Sequence, residues 1–209
     1  MRMEQPSTIP FLGQEGERGL ALEGLYVPGS DDEPGVLVAP PHPLYGGSAL
    51  NPVVTEIALR AQSLGMTSLR FNWRGVGASA GQASGEALDA LADYRAALRF
   101  FEDCVGGAIV ACGYSWGAVA AQRAAAESPR VRKLVLVAPP ASMLDADALE
   151  AFPGEVWIAV GENDELADPF ALSRIAERAG AELVLLDDTD HFFGAGAAAL
   201  GRAFEAWLR

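Results

Sequence analysis

Two histidines, two cysteines and one lysine are all that this 209-residue chain contains of those types, and each shortage narrows its chemistry. Cys104 and Cys112 stand in no C-x-x-C pair and no Cys/His cluster, so neither a metal nor a redox role is expected of them. Cys112 ends an apolar run and reads as a small buried hydrophobe, which fits a reducing, cytoplasmic setting. No apolar run approaches the ~18 residues of a membrane span. Met1 to Pro10 has no apolar core of a signal peptide, so neither a span nor a leader is expected. Basic residues are scarce too. Fifteen Lys and Arg face 28 Asp and Glu, a net charge of −13, which argues against nucleic acid or an anionic membrane as a partner. Lys133 is the only lysine, a bias we ascribe to coding or habitat. Half the residues are hydrophobic, and the length suits one soluble domain, residues 1–209, with a substantial core.

Apolar runs and helical segments alternate along the chain. Residues 1–18 are polar and broken by Pro6, Pro10, Gly13 and Gly16, which suggests an irregular or edge-strand start. Leu20–Val27 has partial alternation and reads as an edge strand. The runs 35–39, 67–72, 108–112, 131–137, 156–160 and 182–186 read as buried strands. Helices are expected over 52–64, 84–102, 118–127, 169–179 and 196–208. Asn51 is the N-cap of the first, Pro52 its first residue and Gly65 its stop. In the second, Leu88, Leu91, Leu98 and Phe101 fall near one face. The connector 138–154 has room for one short helix. The alternation predicts an α/β protein with a mostly parallel, doubly wound sheet covered by helices on both faces.

Gly113-Tyr114-Ser115-Trp116-Gly117 lies between a predicted strand and a predicted helix. A serine at the apex of a strand-to-helix turn, flanked two residues away by glycines, is the context of a nucleophile elbow. The reversal is so sharp that side chains at Gly113 or Gly117 would clash, and Ser115 would be held strained with its hydroxyl exposed. The alternative is a glycine-rich turn after a core strand.

With that elbow, the segments 41–47 (PHPLYGG), 71–79 (FNWRGVGAS) and 190–193 (DHFF) resemble the α/β-hydrolase superfamily from about Gly35 to the C-terminus. The chain is most similar to a small, lidless bacterial subgroup with an H-P-H-P-L-Y-G-G loop, many members of which are described as predicted hydrolases or esterases. Pro40 stands here in place of the first histidine. The resemblance implies a Ser-His-Asp triad. His191 is the general base for Ser115, and Asp164, at the G-x-x-D position of Gly161 to Asp164, orients it; Glu162, Glu165 and Asp168 are competitors. Two backbone N–H groups should bind the oxyanion. One is that of Trp116. In the loop after strand 35–39, Pro41 and Pro43 cannot donate, which leaves Leu44 first and Tyr45 second, with His42 bracing the loop.

Arg74 is expected to tie loops together. The glycine-rich stretch 74–81 lacks Gly-Lys-Ser/Thr, which weakens a phosphate-loop reading. Tyr45, Trp73, Trp116, Met143, Leu144, Phe192 and Phe193 could form an apolar acyl pocket or be ordinary core; Tyr45, Trp73, Met143 and Phe193 are the leading substrate-binding candidates. The short connector 138–154 leaves no room for a lid. The expected activity is a cofactor-independent carboxylesterase acting on small esters. A thioesterase or peptidase-type acyl hydrolase and a non-catalytic ligand- or partner-binding protein are the rivals.

Overall fold

The computed structural model describes residues 3–11 and 20–209. Its strands are β1 (Gln5–Pro10), β2 (Ala21–Val27), β3 (Gly35–Ala39), β4 (Ser68–Phe71), β5 (Ile109–Tyr114), β6 (Val131–Val137), β7 (Glu155–Gly161) and β8 (Glu182–Leu186). They form one sheet in the order β1-β2-β4-β3-β5-β6-β7-β8. From β4 to β8 every neighbouring pair is parallel, while β1 with β2 and β2 with β4 are antiparallel. β3, β4 and β5 are buried along their whole length, the signature of strands covered on both faces.

One strand sits differently from its sequence reading. Leu20–Val27 reads as an edge strand, yet β1 pairs along the outside of β2, with Ile9 opposite Leu22. Pro6 and Pro10 do not prevent this, because β1 has no neighbour on its outer side among the described residues and an edge strand tolerates missing donors. Of the breaks read in the first 18 residues, Gly13 and Gly16 lie outside the described residues.

The helices are α1 (Pro52–Ser63), α2 (Ala87–Cys104), α3 (Trp116–Ala125), α4 (Ala146–Glu150), α5 (Pro169–Ala179) and α6 (Ala197–Leu208). α1 packs with α6 and α2 with α3 against the sheet, and crossovers of the usual right hand put these two pairs on opposite faces. α1 starts as its sequence implies: Asn51 Oδ1 accepts the Val53 N–H at 2.9 Å, Pro52 follows, and Gly65 takes φ 80° just past the end. In α2, Leu91, Leu98 and Phe101 are buried, but Leu88 is 78% exposed. Leu88 sits at the edge of the apolar arc and in the first turn, beyond the cover of the sheet. The 138–154 connector carries only a 3-10 turn (Ala141–Met143) and the five-residue α4, so no lid follows β6.

Because β3 to β8 run parallel, their exit loops gather at one edge of the sheet. That edge collects Pro40 to Asn51, Asn72 to Gly81, Ser115, the 162–168 loop and the 187–196 loop. An open α/β sheet binds its ligands at such an edge.

Candidate active site

β5 runs two residues beyond Cys112, and α3 starts at Trp116, so the turn is Ser115 alone. Ser115 adopts φ 54° and ψ −115°, outside the regions open to ordinary L-residues. Its N–H is tied to Val137 O at 2.8 Å, which anchors the strained residue to β6. The flanking glycines are sterically required. A Cβ on Gly113 would lie 2.1 Å from Gly117 O, and one on Gly117 would lie 2.5 Å from Pro40 O. The second approach also shows that the loop leaving β3 packs directly on the elbow.

His191 Nε2 lies 3.0 Å from Ser115 Oγ. Its Nδ1 lies 2.8 Å from Asp164 Oδ2 and 3.0 Å from Oδ1. Asp164 is buried and its Oδ1 also accepts the N–H groups of Leu166 (2.9 Å) and Ala167 (2.8 Å). Burial raises the Asp164 pKa, but the hydrogen bonds from His191, Ala167 and Leu166 and the histidine's charge together outweigh it and hold the carboxyl below its usual value. Glu162, Glu165 and Asp168 are exposed, and Asp168 caps α5 through the Ala171 N–H at 3.0 Å.

The loops that bring aspartate to histidine are laced by their backbones. Glu162 N–H donates to Leu186 O and Asn163 N–H to Thr189 O, both at 2.9 Å. A side chain at Gly161 would meet Thr189 O at 2.2 Å, so glycine is what lets the two loops touch. Tyr114, beside the serine, donates its hydroxyl to His191 O at 2.6 Å. Burial, with Asp164 and Asp190 nearby, pushes this phenol well up, so it remains a donor. The sequence reading assigned Tyr114 no role of its own.

The loop after β3 departs from its sequence reading. The Leu44 N–H donates to His42 Nδ1 at 3.2 Å, and the Tyr45 N–H donates to His42 O at 3.1 Å. Both N–H groups singled out from sequence therefore have partners inside the loop. The His42 N–H has none among the described residues, and neither has that of Trp116, the first of α3. Partial burial pushes the His42 pKa down, which favours a neutral ring that accepts at Nδ1. That ring lies tilted against Trp116 at 4.8 Å and Tyr45 at 4.9 Å, bracing the loop against the elbow.

Two of the aromatic candidates are core residues. Trp73 and Phe193 are each 1% exposed. The Trp73 ring packs edge-on to Phe71, and its indole N–H donates to Pro41 O at 2.8 Å; Phe193 packs edge-on to Tyr114. Neither presents a surface to a substrate. Tyr45 is 88% exposed, Leu44 and Phe192 also face solvent, and Trp116, Met143 and Leu144 are half-buried. Phe192 stands edge-on to the His191 ring at 5.7 Å.

Arg74 ties loop to helix. Its N–H and Nε each donate to the Asp93 carboxylate at 2.8 Å, and Nη1 reaches Asp89 Oδ1 at 2.8 Å. Asp93 is buried in α2, so Arg74→Met leaves its carboxylate without the guanidinium. A loss of about 3–5 kcal/mol is expected, read as a fall in the denaturant midpoint at constant slope. Among the described residues no three His, Cys, Asp or Glu side chains converge as metal ligands, and no helix is long and apolar enough to cross a membrane.

A strained serine on a strand-to-helix elbow, hydrogen-bonded through a histidine to a buried aspartate at the carboxyl edge of a parallel sheet, defines the α/β-hydrolase class of proteins. The comparisons agree. A model of the alpha/beta hydrolase family matches residues 39–154, more than half of the chain, and the protein belongs to that family. It is 30% identical over 201 residues to an uncharacterized protein of Rickettsia prowazekii, covering 88% of this chain and 81% of that one. A putative alpha/beta hydrolase from Agrobacterium tumefaciens superposes with a TM-score of 0.85 at 26% identity, covering 99% and 94% of the two chains. A serine hydrolase without a lid from Xanthomonas campestris gives 0.77 at 28% identity, covering 97% and 92%.

Proposed function

We propose that the protein is a serine hydrolase, a carboxylesterase for small esters, with Ser115 as nucleophile, His191 as general base and acid, and Asp164 as the group that orients the imidazole. The observation that carries this reading is the unbroken hydrogen-bonded chain from Ser115 Oγ through both ring nitrogens to Asp164. An ionised Asp164 favours the proton on Nδ1 and leaves the Nε2 lone pair facing the serine hydroxyl.

Ser115 Oγ attacks the ester carbonyl carbon as its proton passes to Nε2. The tetrahedral oxyanion is held by two backbone N–H groups. Trp116 supplies one. For the second we assign His42 rather than Leu44, since the Leu44 N–H already serves His42 Nδ1 while that of His42 has no partner among the described residues and lies in the loop packed on the elbow. Collapse expels the alcohol, which takes the Nε2 proton. Water attacks the acyl-enzyme, giving its proton to the same nitrogen, and Ser115 leaves with it. No cofactor enters these steps. The exposed Leu44, Tyr45 and Phe192 and the half-buried Met143 are the apolar side chains assigned here to the acyl group, in support of short, open-site substrates. The two unpaired cysteines and the acidic surface accord with a small-molecule substrate in the cytoplasm.

The test is stoichiometric labelling by a fluorophosphonate, followed by hydrolysis of p-nitrophenyl esters of increasing acyl length. One label per chain and a fall in kcat/KM beyond short acyl chains are expected. A folded protein that takes no label is a binding protein instead.

A further inference from the structure

The loop that carries the proposed oxyanion N–H is held by side chains from β4 and the residues just after it, and we propose that Arg70 and Asn72 are positioning residues that set its geometry through the backbone of Ala49. The inference rests on the hydrolase reading for its effect on rate, but the clamp itself is a structural statement that can be tested alone.

Ala49 is fully buried, and both its backbone groups are taken by side chains of this neighbouring segment. Its N–H donates to Asn72 Oδ1 at 2.7 Å, and its carbonyl accepts from Arg70 Nη1 at 2.6 Å. At the other end of the loop, Trp73 Nε1 holds Pro41 O at 2.8 Å. His42 and Leu44 lie between these two pins. So do Gly46, at φ 81°, and Gly47, where a Cβ would lie 2.1 Å from Pro41 O. The loop also closes on itself through the Gly47 N–H to His42 O at 3.1 Å. With both ends pinned and the middle closed, the direction of the His42 N–H follows from where Ala49 and Pro41 are held.

Arg70 and Asn72 are 7% and 6% exposed. Burying such groups is unfavourable unless their hydrogen bonds are met, and an apolar side chain would serve packing as well. Here the bonds are met in a connected network. Arg70 also donates to Thr55 Oγ1 on α1 (2.7 Å) and, through Nη2, to Glu4 Oε1 ahead of β1 (2.6 Å). Asn72 Nδ2 donates to Glu23 Oε2 on β2 at 2.7 Å, and the same carboxylate oxygen accepts the Ala78 N–H at 2.9 Å. The amino-terminal hairpin thus fixes the rotamers of the two residues that hold Ala49. Two residues apart in an extended segment, they share a face, and each satisfies one backbone group of the same residue.

Two readouts separate this role from general stability. In hydrogen–deuterium exchange, Asn72→Ala is expected to speed exchange of the peptide covering residues 42–51 at least tenfold, with the peptide covering β8 unchanged. In kinetics with p-nitrophenyl acetate, the same variant should lower kcat about 10- to 100-fold with KM within about twofold, because the loss falls on the transition state. Affinity for a small boronic acid, which forms a tetrahedral anion on Ser115, should fall by the same factor. Asn72→Asp places a carboxylate beside Glu23 and should be impaired. The double variant Glu23→Gln with Asn72→Asp remakes the bonds of position 72 to Ala49 and to position 23 but costs the Ala78 N–H its acceptor, and should recover part of what Asn72→Asp loses. Unchanged loop exchange in folded Asn72→Ala overturns the clamp. A wild-type protein that takes no fluorophosphonate instead overturns the hydrolase reading and leaves the exchange result to decide the clamp.

Discussion

Ser115→Ala is expected to lower ester turnover by about 10^4- to 10^6-fold, in the range set by removal of a nucleophile that works as one unit with its base. The melting temperature should change by no more than a degree or two. Alanine at φ 54° is as strained as serine, so the backbone gains no relief, and what the side chain gives up is its hydrogen bond to His191 Nε2. The fluorophosphonate label should vanish with the turnover. A residual rate of a few per cent in a protein shown free of wild-type contamination would mean that Ser115 is not the nucleophile. The elbow would then be a structural turn, with its glycines serving only the close approach of β5, α3 and the loop after β3.

Asp164→Asn is expected to cost about 10^4 in kcat with little change in KM. The geometry explains why the side chain's shape is not enough. Asp164 Oδ1 already accepts two backbone N–H groups, from Leu166 and Ala167, which leaves Oδ2 as the closer partner of His191 Nδ1. An asparagine that keeps its oxygen toward those N–H groups must turn its NH2 toward the imidazole. The ring then accepts at Nδ1 and carries its proton on Nε2, pointing at the serine oxygen it should deprotonate. Loss of the carboxylate also removes the charge that stabilises the imidazolium. A pH–rate profile across the neutral range should show the loss persisting at high pH, because it is a loss of orientation and charge. Retention of more than a tenth of wild-type kcat would instead move the orienting role to another acid.

The same carboxylate links the site to acid stability. Its folded pKa lies below the ordinary carboxylate value of about 3.9. Its contribution to folding is therefore fully present above that value and is lost as pH falls through the lower, folded one. Asp164→Asn should flatten the acid limb of the unfolding midpoint plotted against pH, while the wild type falls more steeply there.

Much of this was legible locally because the signals are local. Pro52 after Asn51 and Gly65 past the helix end act within a turn of the chain, and the predicted bounds of β3, β6, α5 and β8 are those observed. The elbow needed only two glycines and a serine between an apolar run and a helix. His191 was legible partly by scarcity, since one of only two histidines followed the last strand. The runs at β3 and β5 announced strands buried on both faces because they contain no alternation.

What stayed hidden depends on groups distant in sequence. A tryptophan after a strand can line a pocket or fill a core, and only the stacking of β4 beside β3 put Trp73 under the loop and out of a substrate's reach. Leu44 and His42 each carry a backbone N–H, and no rule of composition says which is free. That was decided when the His42 ring folded back to accept from Leu44. Arg70 and Asn72 place polar groups in and just after β4 at a spacing of two, a visible irregularity whose meaning needed Ala49, Glu4 and Glu23 to arrive from three other segments. By itself, then, the sequence determined the succession of strands and helices and the elbow, because these follow from steric and hydrophobic preferences within a few residues. Only the tertiary structure decided which polar groups are already bonded and which are left to meet a substrate, because a hydrogen bond is settled by whatever partner the fold delivers to it.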